Sequence, residues 1–580
     1  MNPLFLGRQI INAIATTTAH VREDRVFFGM QLARRLPSAA SKVVGRILGH
    51  LPDPASRTAA AWLLGHESHA RELVLDYETT RPSRLLGEIA LNLGQFESAS
   101  RIADSVAGGA SLRSRILWSD GRIDEAIAVL RDGGRRRRLV AEKRSLEPGW
   151  WPEVSGRILG AHDIAGHRPE SPTSLHVLTN SLPHTRSGYA YRSHLILKTL
   201  QDSGHTVMAA TRPSYPMTIG RLSSTPLETV DGVEYLRHVP LLPTATPTAR
   251  LSQQARWIAD RVAQGGVDVL HTTTHYVNGL ATGAAARATG IPWVYEVRGV
   301  LEETWAASGG GDAERVARRA SQRFAMMREK EIEVARAADA VITLGETMRA
   351  HLVDNGIPAD AITLIPNSVS EAVVGAEVTR RPAELRTELG LPEGGVWVGT
   401  AASIVGYEGL DDLVDAVAIA RAQGVDLRLL IAGDGTALPS LRERARPLGD
   451  NAVFTGRVSQ KSAIAHQLAL DAIVVPRKDE PVCRLVTPIK PVEAMGLARP
   501  VVISDLPALR ELVPASAGLW TEPENPQCLA AVLAELALDA TTRESLGNNG
   551  REHVLSTRRW KDIGQRYGEV YSRLVGANAK

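Results

Sequence analysis

The sequence Thr487-Pro-Ile-Lys-Pro-Val-Glu-Ala-Met-Gly496 lies between two short apolar runs, residues 471–477 and 500–504, that are typical of buried strands. Thr487 is a favourable N-cap residue, and Pro488 suits the first position of a helix because no amide hydrogen is needed there. We therefore expect a strand, a helix that begins at this Thr-Pro pair, and a second strand.

Two charged residues in this segment are candidates for ligand binding. Lys490 and Glu493 are three residues apart and so share one face of the expected helix. A helix N-terminus attracts phosphate, and a lysine adds positive charge there. A carboxylate one turn later can accept two hydrogen bonds from a ribose diol. The group indicates a site for a nucleoside diphosphate, although an ordinary capped helix would carry the same residues.

Apolar β-branched runs alternate with helical periods on both sides of this segment. Such an alternation is typical of buried parallel strands joined by crossover helices. It predicts an α/β protein with two successive doubly wound, Rossmann-like sheets. The strand-like runs are residues 174–180, 206–211, 268–273, 292–298, 340–344 and 362–367, then 397–403, 427–435, 452–458, 471–477 and 500–504.

Residues 1–165 are predicted to form a separate, all-helical domain. Gly65, Gly94 and Gly121 recur at intervals of about 28 residues, each between two helical periods. The pattern resembles degenerate tetratricopeptide-like hairpins, with a period shorter than usual. Such a domain is either a docking surface for a protein partner or a helical cap on the core.

Composition indicates a large globular protein. The chain has 580 residues, of which 44% are hydrophobic and 23% charged, enough for about three domains. No apolar run approaches the ~18 residues that span a bilayer, and the N-terminus lacks the features of a signal peptide. Two cysteines are too few for a disulfide framework. We expect a cytoplasmic protein.

A basic cluster lies near the end of the helical region. Arg135-Arg-Arg-Arg138 is followed by Trp150 and Trp151. Basic residues beside aromatic ones can hold a protein on an anionic membrane surface. A polar linker with two packed tryptophans explains the same residues.

From about Ser171 onward, an ordered set of short motifs resembles the GT-B glycosyltransferases of family 4. The resemblance implies a retaining enzyme that moves a sugar from a nucleotide-diphosphate sugar to a cell-envelope or polysaccharide acceptor. It also implies an acceptor domain at 171–377, a donor domain at 378–557 and a C-terminal helix, 558–580, that crosses back to the acceptor domain. The motifs are Asp268-Val-Leu-His271, Tyr276-Val-Asn-Gly279, Tyr295-Glu-Val-Arg-Gly299, Ala338-Asp-Ala-Val-Ile-Thr343, Ile365-Pro-Asn-Ser368, Tyr407-Glu-Gly-Leu410, Ile431-Ala-Gly-Asp-Gly435 and Glu493-Ala-Met495.

The resemblance carries over to single residues of the donor site. Ser187 and Gly188 match a Gly-rich turn of the family before the first helix, where backbone comes close to phosphate or sugar. Gly435 matches the loop beside the nucleotide base, and a tight turn is the alternative. Glu493 matches the carboxylate that holds the ribose, and Thr487 and Lys490 lie beside it.

The chain also departs from the family's pattern. Leu485 stands where a second carboxylate contacts the donor sugar, so that Asp479 or Glu480 would have to replace it. Ser403 and Glu408 stand where the family has two cations for the diphosphate. Arg477 and Lys490 are the best replacements, because a departing pyrophosphate needs positive charge. The residues of this predicted donor site are Ser187, Gly188, Ser403, Gly435, Arg477, Thr487, Lys490 and Glu493.

Three residues of the first α/β domain are candidates for a catalytic role. Arg298 occupies the place of a family histidine near the sugar, and Glu296 lies two residues earlier on the same strand face. The pair orients the acceptor or contacts the donor, or it is a purely structural salt bridge. His275, just past a strand, either binds a hydroxyl or is incidental.

The resemblance implies front-face attack, in which the leaving phosphate takes the acceptor proton and the protein supplies positioning and charge. No two aspartates are two residues apart, so we expect no essential metal and no cofactor. The expected partners are a nucleotide-sugar donor and a glycan or lipid-linked acceptor, and no nucleic acid. A GT-B epimerase or phosphorylase, or a catalytically weak scaffold, are the alternatives.

Overall fold

The structure is a computed structural model and describes residues 3–33, 38–156 and 171–578. Within these residues, the chain up to Leu146 consists of helices joined by short turns, as predicted. The expected boundary at residue 165 lies outside the described residues. The helices are α1 (Pro3–Glu23), α2 (Arg25–Ala33), α3 (Ser38–Gly49), α4 (Pro54–Leu63), α5 (Glu67–Tyr77), α6 (Arg84–Asn92), α7 (Phe96–Ser105), α8 (Ala110–Ser119), α9 (Ile123–Ala128) and α10 (Gly134–Leu146).

Glycines close the helical hairpins of this region. Gly65, Gly94 and Gly121 follow α4, α6 and α8 with φ angles of +81°, +74° and +82°. Glycine adopts this left-handed conformation without strain, which ends one helix and turns the chain toward the next. α4 packs on α5, α6 on α7 and α8 on α9. The glycine spacing therefore indicated the hairpins correctly.

The first α/β domain is built on a sheet with the strand order β3-β4-β2-β1-β5-β6-β7-β8. All neighbouring strands are parallel except β3 and β4, which form an antiparallel edge hairpin. Its elements are β1 (Ser174–Leu178), α11 (Gly188–Asp202), β2 (Val207–Thr211), β3 (Leu227–Val230), β4 (Val233–Leu236), α12 (Pro247–Ala263), β5 (Val269–Thr273), α13 (Tyr276–Thr289), β6 (Trp293–Val297), α14 (Leu301–Ala307), α15 (Asp312–Arg319), α16 (Gln322–Arg336), β7 (Ala340–Thr343), α17 (Glu346–Asp354) and β8 (Ile362–Leu364).

The second α/β domain has a fully parallel sheet with the order β11-β10-β9-β12-β13-β14. Both sheets confirm the two Rossmann-like domains. The elements are α18 (Glu371–Val374), α19 (Pro382–Glu388), β9 (Val396–Ser403), α20 (Leu410–Ala422), β10 (Leu427–Asp434), α21 (Leu438–Arg444), β11 (Ala452–Gly456), α22 (Gln460–Leu468), β12 (Ala472–Val475), α23 (Pro481–Leu485), α24 (Lys490–Gly496), β13 (Val501–Ser504), α25 (Pro507–Arg510), β14 (Gly518–Thr521), α26 (Pro526–Leu538), α27 (Ala540–Thr557) and α28 (Trp560–Asn578).

The last helix, α28, lies on the first α/β domain. It packs on α11 and β5, and the Val369 amide donates to the Arg558 carbonyl (3.0 Å) where the chain returns. Its apolar face, with Tyr567 and Tyr571, is buried against residues such as Val294 of β6. This helix therefore belongs to the core of the first domain, although it follows the second in sequence.

The helical domain is docked on the first α/β domain. α10 packs on α12 and α16, and Ile123, Leu139 and Met327 share one apolar cluster. The Gly121 carbonyl accepts from the Arg323 amide (3.0 Å), and Gln322 hydrogen-bonds Asp124. The domain is thus a cap on the core, and its role toward a protein partner remains a hypothesis.

Two of the four arginines in the basic cluster before the tryptophan pair are engaged inside the protein. Arg138 forms an ion pair with Glu23 (2.7 Å), and Arg135 lies 3.9 Å from Asp24. Arg287 stacks on the Trp151 ring, with its guanidinium carbon 3.8 Å from the ring centre. Arg137 is exposed, and Arg136 pairs, among the described residues, only with the exposed Asp132. A membrane role for this cluster therefore stays a prediction. Among the described helices, none is long and apolar enough to cross a membrane.

Candidate active site

The predicted site residues of the two α/β domains meet where the domains contact each other. α23 of the second domain packs on α14 and α17 of the first. The Asn367 side chain, just past β8, donates to the Thr487 carbonyl (3.0 Å). The ends of parallel strands and the loops that follow them line this junction, which is where α/β folds bind ligands.

A buried charge cluster lies on the second-domain side. Arg477, just past β12, donates to Glu408 (3.0 Å), and Lys490 at the start of α24 also pairs with Glu408. Burial alone would raise the pKa of the Glu408 carboxyl, but the two cations outweigh it and hold the pKa at about 2. One carboxylate between two cations leaves this cluster with one net positive charge. The two cations expected to bind diphosphate are therefore already held by Glu408.

Glu493 lies one turn after Lys490 and has no such partner. Its carboxylate is half-buried and, within the residues that the structure describes, receives no hydrogen bond. Burial raises its pKa to about 7, against the attraction of Lys490. A carboxylate held in this way gains from any ligand that donates hydroxyl hydrogens to it.

Thr487 does not cap the helix as the sequence predicted. α24 begins at Lys490 with Ile489 at the N-cap, and no side chain caps it. A residue before proline is driven away from helical conformation, and the bond from Asn367 holds the Thr487 carbonyl as well. The Thr487 hydroxyl is buried and has no hydrogen-bond partner among the described residues. The hydroxyl therefore has unused hydrogen-bonding capacity close to Lys490.

The loop before α11 is open to solvent. Ser187 caps α11, its Oγ accepting from the Ala190 amide (3.3 Å), and both Ser187 and Gly188 are exposed. A Cβ added to Gly188 would meet nothing within 4 Å, whereas one on Gly299 of the same domain would lie 3.4 Å from the Tyr189 hydroxyl and 4.0 Å from Val486 of the second domain. The helix N-terminus thus borders the junction, and Tyr189 is a lining residue that the sequence reasoning did not single out.

Gly435 has a structural reason to be glycine. A Cβ on it would lie 2.1 Å from the Ile404 carbonyl oxygen, and Gly433 has a φ of +148° and a similar clash with Ala402. Both glycines let β10 end close against the end of β9. Ser403, at the end of β9, is exposed. The tight-turn interpretation holds here, and a role beside the base stays a prediction.

Glu296 lies at the centre of a second buried cluster, in the first α/β domain. Its Oε1 accepts from Arg192 (2.9 Å) and from the Tyr567 hydroxyl (3.1 Å). Its Oε2 accepts from Arg298 (2.6 Å) and lies 3.3 Å from His271 Nε2. Burial opposes the charge, but Arg298 and Arg192 hold the pKa of Glu296 well below its usual range. The carboxylate is satisfied by the protein itself.

Arg298 is equally engaged, since it also donates to Ser193 Oγ (2.8 Å) and is 3% exposed. The structure favours the structural salt bridge over a catalytic role for Glu296 and Arg298. Arg192 donates onward to Asn367 Oδ1 (2.8 Å), and Asn367 donates to Thr487. A hydrogen-bonded path therefore links this cluster to the donor side, through residues that sequence reasoning did not assign to the site.

His275 is the N-cap of α13, and its Nδ1 accepts from the Val277 amide (3.3 Å). Burial, with some repulsion from Arg212, lowers its pKa to about 4. The imidazole is therefore neutral at neutral pH. It suits hydrogen bonding to a hydroxyl and does not suit donation from an imidazolium.

Asp479 and Glu480, the two substitutes predicted for the missing carboxylate, both form ion pairs already. Glu480 pairs with Arg315 (2.7 Å) and Arg319 of α15, which ties the two domains together. Asp479 pairs with Arg484. Because both carboxylates are already engaged, neither Asp479 nor Glu480 is a free acidic replacement at the position of Leu485.

Comparisons with known proteins fit this arrangement. Residues 187–368 match the family model of the glycosyl transferase 4-like domain, and residues 395–539 match that of the glycosyl transferases group 1. Together the matches cover more than half of the chain. They coincide with the two α/β domains described above.

Among curated proteins, the chain is similar to an alpha-D-kanosaminyltransferase of Streptomyces kanamyceticus, with 27% identity over 226 residues, or 38% of this chain and 56% of that protein. It is 28% identical over 187 residues to a GDP-mannose-dependent monoacylated alpha-(1-6)-phosphatidylinositol monomannoside mannosyltransferase of Corynebacterium glutamicum, or 32% of this chain and 49% of that one. The chain spans about half the length of the curated relatives it matches.

Solved structures agree on the fold. A sucrose-phosphate synthase from Thermosynechococcus elongatus superposes with a TM-score of 0.53 at 21% identity, over 70% of this chain and 100% of that chain. WaaG, a glycosyltransferase involved in lipopolysaccharide biosynthesis, gives 0.51 at 16% identity, over 68% and 99%. At these identities the likeness shows the fold alone. With the two family matches, it shows that the chain belongs to the glycosyltransferases of the GT-B fold.

Proposed function

We propose that this protein transfers a sugar from a nucleotide-diphosphate sugar to a glycan or lipid-linked acceptor, with retention of the anomeric configuration. The observation that carries the proposal is the pair of unsatisfied groups on the donor side. The Glu493 carboxylate and the Thr487 hydroxyl lack partners among the described residues, and both adjoin a cluster with a net positive charge. A ribose diol would donate hydrogen bonds to the Glu493 carboxylate. A phosphate would accept one from the Thr487 hydroxyl and pair with the positive charge.

Each residue then has a distinct task. Glu493 accepts hydrogen bonds from the ribose, and Lys490 and Arg477 stabilise the negative charge that grows on the leaving diphosphate. Glu408 keeps the two cations charged and close together before the donor arrives. A diphosphate has to share them with Glu408, which makes this a weaker anion site than two unpaired cations would be.

Retention by front-face attack needs no strong protein base. The departing phosphate takes the acceptor proton, and the protein holds the two reactants in line. His275, neutral at neutral pH, supports this scheme as a hydrogen-bonding group for a hydroxyl. The anomeric outcome, the absence of an essential metal and a cytoplasmic location remain parts of the proposal.

Similar folds supply independent support for the donor class. Structures of Anabaena HepE, 16% identical to this chain, contain UDP or UDP-glucose. Those ligands belong to that protein. The relatives above are transferases and synthases, which gives no support to the epimerase or phosphorylase alternatives.

The test is donor binding and turnover in site variants. We expect Glu493→Gln and Lys490→Ala each to lower nucleotide-sugar turnover by about 10- to 1000-fold, because charge stabilisation in the transition state is lost. Thermal shifts with a panel of nucleotide diphosphates and nucleotide sugars identify the donor, and transfer to added acceptors is then measured.

Glu535→Gln and Lys461→Ala are matched controls, since both residues are exposed and lie on α26 and α22, which pack on elements of the second α/β domain. They should turn over donor like the wild type. Wild-type-like turnover in both site variants would contradict the assignment of the donor site. A protein that binds nucleotide but neither transfers nor hydrolyses any donor would be the weak scaffold instead.

A further inference from the structure

The first helix, α1, buries polar residues and exposes apolar ones, the reverse of an ordinary surface helix. Its buried residues include Gln9 and Asn12, both 0% exposed. Its apolar residues Leu4, Ile11 and Ile14 are 82%, 45% and 62% exposed. A surface helix normally buries its apolar stripe and exposes its polar one. The reversal means that the apolar stripe of α1 serves something other than the protein's own core.

Polar contacts explain how α1 is held in this orientation. Gln9 exchanges two hydrogen bonds with the backbone of Ser223, at 2.8 and 3.0 Å. Asn12 donates to the Pro240 carbonyl (2.6 Å) and accepts from the Ser214 hydroxyl (3.1 Å). These buried amide contacts fix the rotation of α1 about its own axis, so that Leu4, Ile11 and Ile14 face outward.

Exposed leucines also lie beside the segments of the first α/β domain that hold α1. Leu222 precedes the Ser223 that binds Gln9, and Leu241 follows the Pro240 that binds Asn12. Leu222, Leu241 and Leu242 are 52%, 63% and 63% exposed. A hollow of about 350 Å³ lies in the same seam and is lined in part by Arg8 and Leu241. We call Leu4, Ile10, Ile11, Ile14 and these three leucines the α1 patch. Exposed apolar side chains gathered at one such seam mark a binding face.

The positive charges around the α1 patch indicate an anionic partner. Arg8, Arg22 and Arg25 of α1 and α2 are exposed, and in the described residues none of them forms an ion pair. The acidic residues of this region, Glu23 and Asp24, are both taken up by ion pairs, Glu23 with Arg138 and Asp24 with Arg84 and Arg115. The next helix, α3, repeats the pattern with exposed Val43, Ile47, Lys42 and Arg46. Exposed apolar groups with unopposed positive charge complement an anionic lipid surface.

We propose that the α1 patch docks this protein on the surface of an anionic lipid bilayer, with the apolar side chains of α1 and of the adjoining loops inserted among the lipids. The surface belongs to α1 and the first α/β domain, and not to the Arg135 cluster. Docking does not depend on the transfer reaction, since it uses no residue of the donor site.

Vesicle co-sedimentation of the full chain tests the proposal. The wild type should bind vesicles of phosphatidylcholine with phosphatidylglycerol and bind pure phosphatidylcholine at least about tenfold more weakly, with the difference shrinking in high salt. Ile11→Ser/Ile14→Ser should weaken binding to the anionic vesicles by about tenfold or more. Val316→Ser/Leu538→Ser is the matched control, since both residues are highly exposed elsewhere, and it should bind like the wild type.

Three results would overturn the proposal. One is a wild type that binds anionic vesicles no better than neutral ones at low salt. Another is loss of binding in Arg8→Gln/Arg25→Gln with full binding in Ile11→Ser/Ile14→Ser, since this would show adsorption without insertion. The third is a wild-type dimer in sedimentation velocity that Ile11→Ser/Ile14→Ser makes monomeric, because the patch would then belong to a second copy of this chain. Donor binding, measured in parallel, separates each result from failure of the proposed function.

Discussion

Glu296 in the first α/β domain and Glu408 in the second are both buried carboxylates held between two cations. Around Glu296, the Tyr567 hydroxyl and the His271 imidazole fill the remaining hydrogen-bonding positions, and α28 covers the cluster. Around Glu408, the neighbouring Thr487 hydroxyl and Glu493 carboxylate have no partners in the described part of the chain. The Glu296 carboxylate is therefore fully partnered, although Arg192 Nε and Arg298 Nε beside it have no partner among the described residues. Beside Glu408, in contrast, a carboxylate and a hydroxyl are the unpaired groups.

This difference distinguishes a charge cluster that stabilises the fold from one that can bind a ligand. A buried carboxylate with every position filled has no capacity left for a substrate, and removing it costs folding free energy. A cluster flanked by unsatisfied polar groups costs stability as it stands, and a ligand that satisfies those groups recovers it. Charge and burial alone do not distinguish a stabilising cluster from a binding one. The distinction lies in whether the polar groups beside the carboxylate have hydrogen-bond partners.

The largest effect in this comparison is expected from Glu296→Gln. The change leaves Arg192 and Arg298 buried without their counter-ion, which should lower the free energy of unfolding by about 3–5 kcal/mol. Urea unfolding measures it, with Glu234→Gln, an exposed residue of the same domain, as the control. If Glu296→Gln keeps wild-type stability and loses transfer by two orders of magnitude, Glu296 is catalytic and the structural interpretation fails.

A smaller effect is expected from Tyr567→Phe. This change removes one hydrogen bond to the charged Glu296 carboxylate (3.1 Å) and keeps the ring that packs α28 in place. The unfolding free energy should fall by about 1.5–3 kcal/mol, the usual range for a bond to a charged group. Tyr191→Phe on α11 is the control, since no described residue hydrogen-bonds the Tyr191 hydroxyl. Equal stability of both variants would show that the hydroxyl contributes nothing to the cluster.

Much of the fold could be predicted from the sequence because most strands are buried on both faces and therefore read as continuous apolar runs. The strands that were missed lack this signal. β3 and β4 form a partly exposed hairpin at a sheet edge, and β14 at the other sheet's edge is a short strand of mixed polarity, Gly518–Thr521. Their place is set by pairing with a neighbour, which a local pattern does not contain.

The candidate site was predicted by residue type and not by pairing. Lys490 and Arg477 were identified as cations near the diphosphate, but Glu408 is 82 residues from Lys490, and only the fold shows that it binds both. Thr487 has a capping side chain, yet the following Pro488 and the contact from Asn367 keep it out of the helix. Local propensity fails where a distant partner decides the conformation.

The smallest effect concerns the protonation of Glu493. Its pKa in the unliganded protein is raised to about 7 by burial, above the ordinary 4.5, so that the carboxyl is largely protonated at pH 6 and largely ionised at pH 8. If the ionised form accepts the ribose hydroxyls, donor affinity should rise about tenfold from pH 6 to 8 and level off above. The measurement is the dissociation constant, across this range, of the nucleotide sugar that gives the largest thermal shift. A nucleotide sugar is used because its phosphates keep a constant charge there.

Glu493→Gln should bind more weakly at pH 8 and show a flat profile. A rise of the same size in Glu493→Gln would assign the titration to another group, and a fall with pH in the wild type would mean that the protonated carboxyl binds the donor.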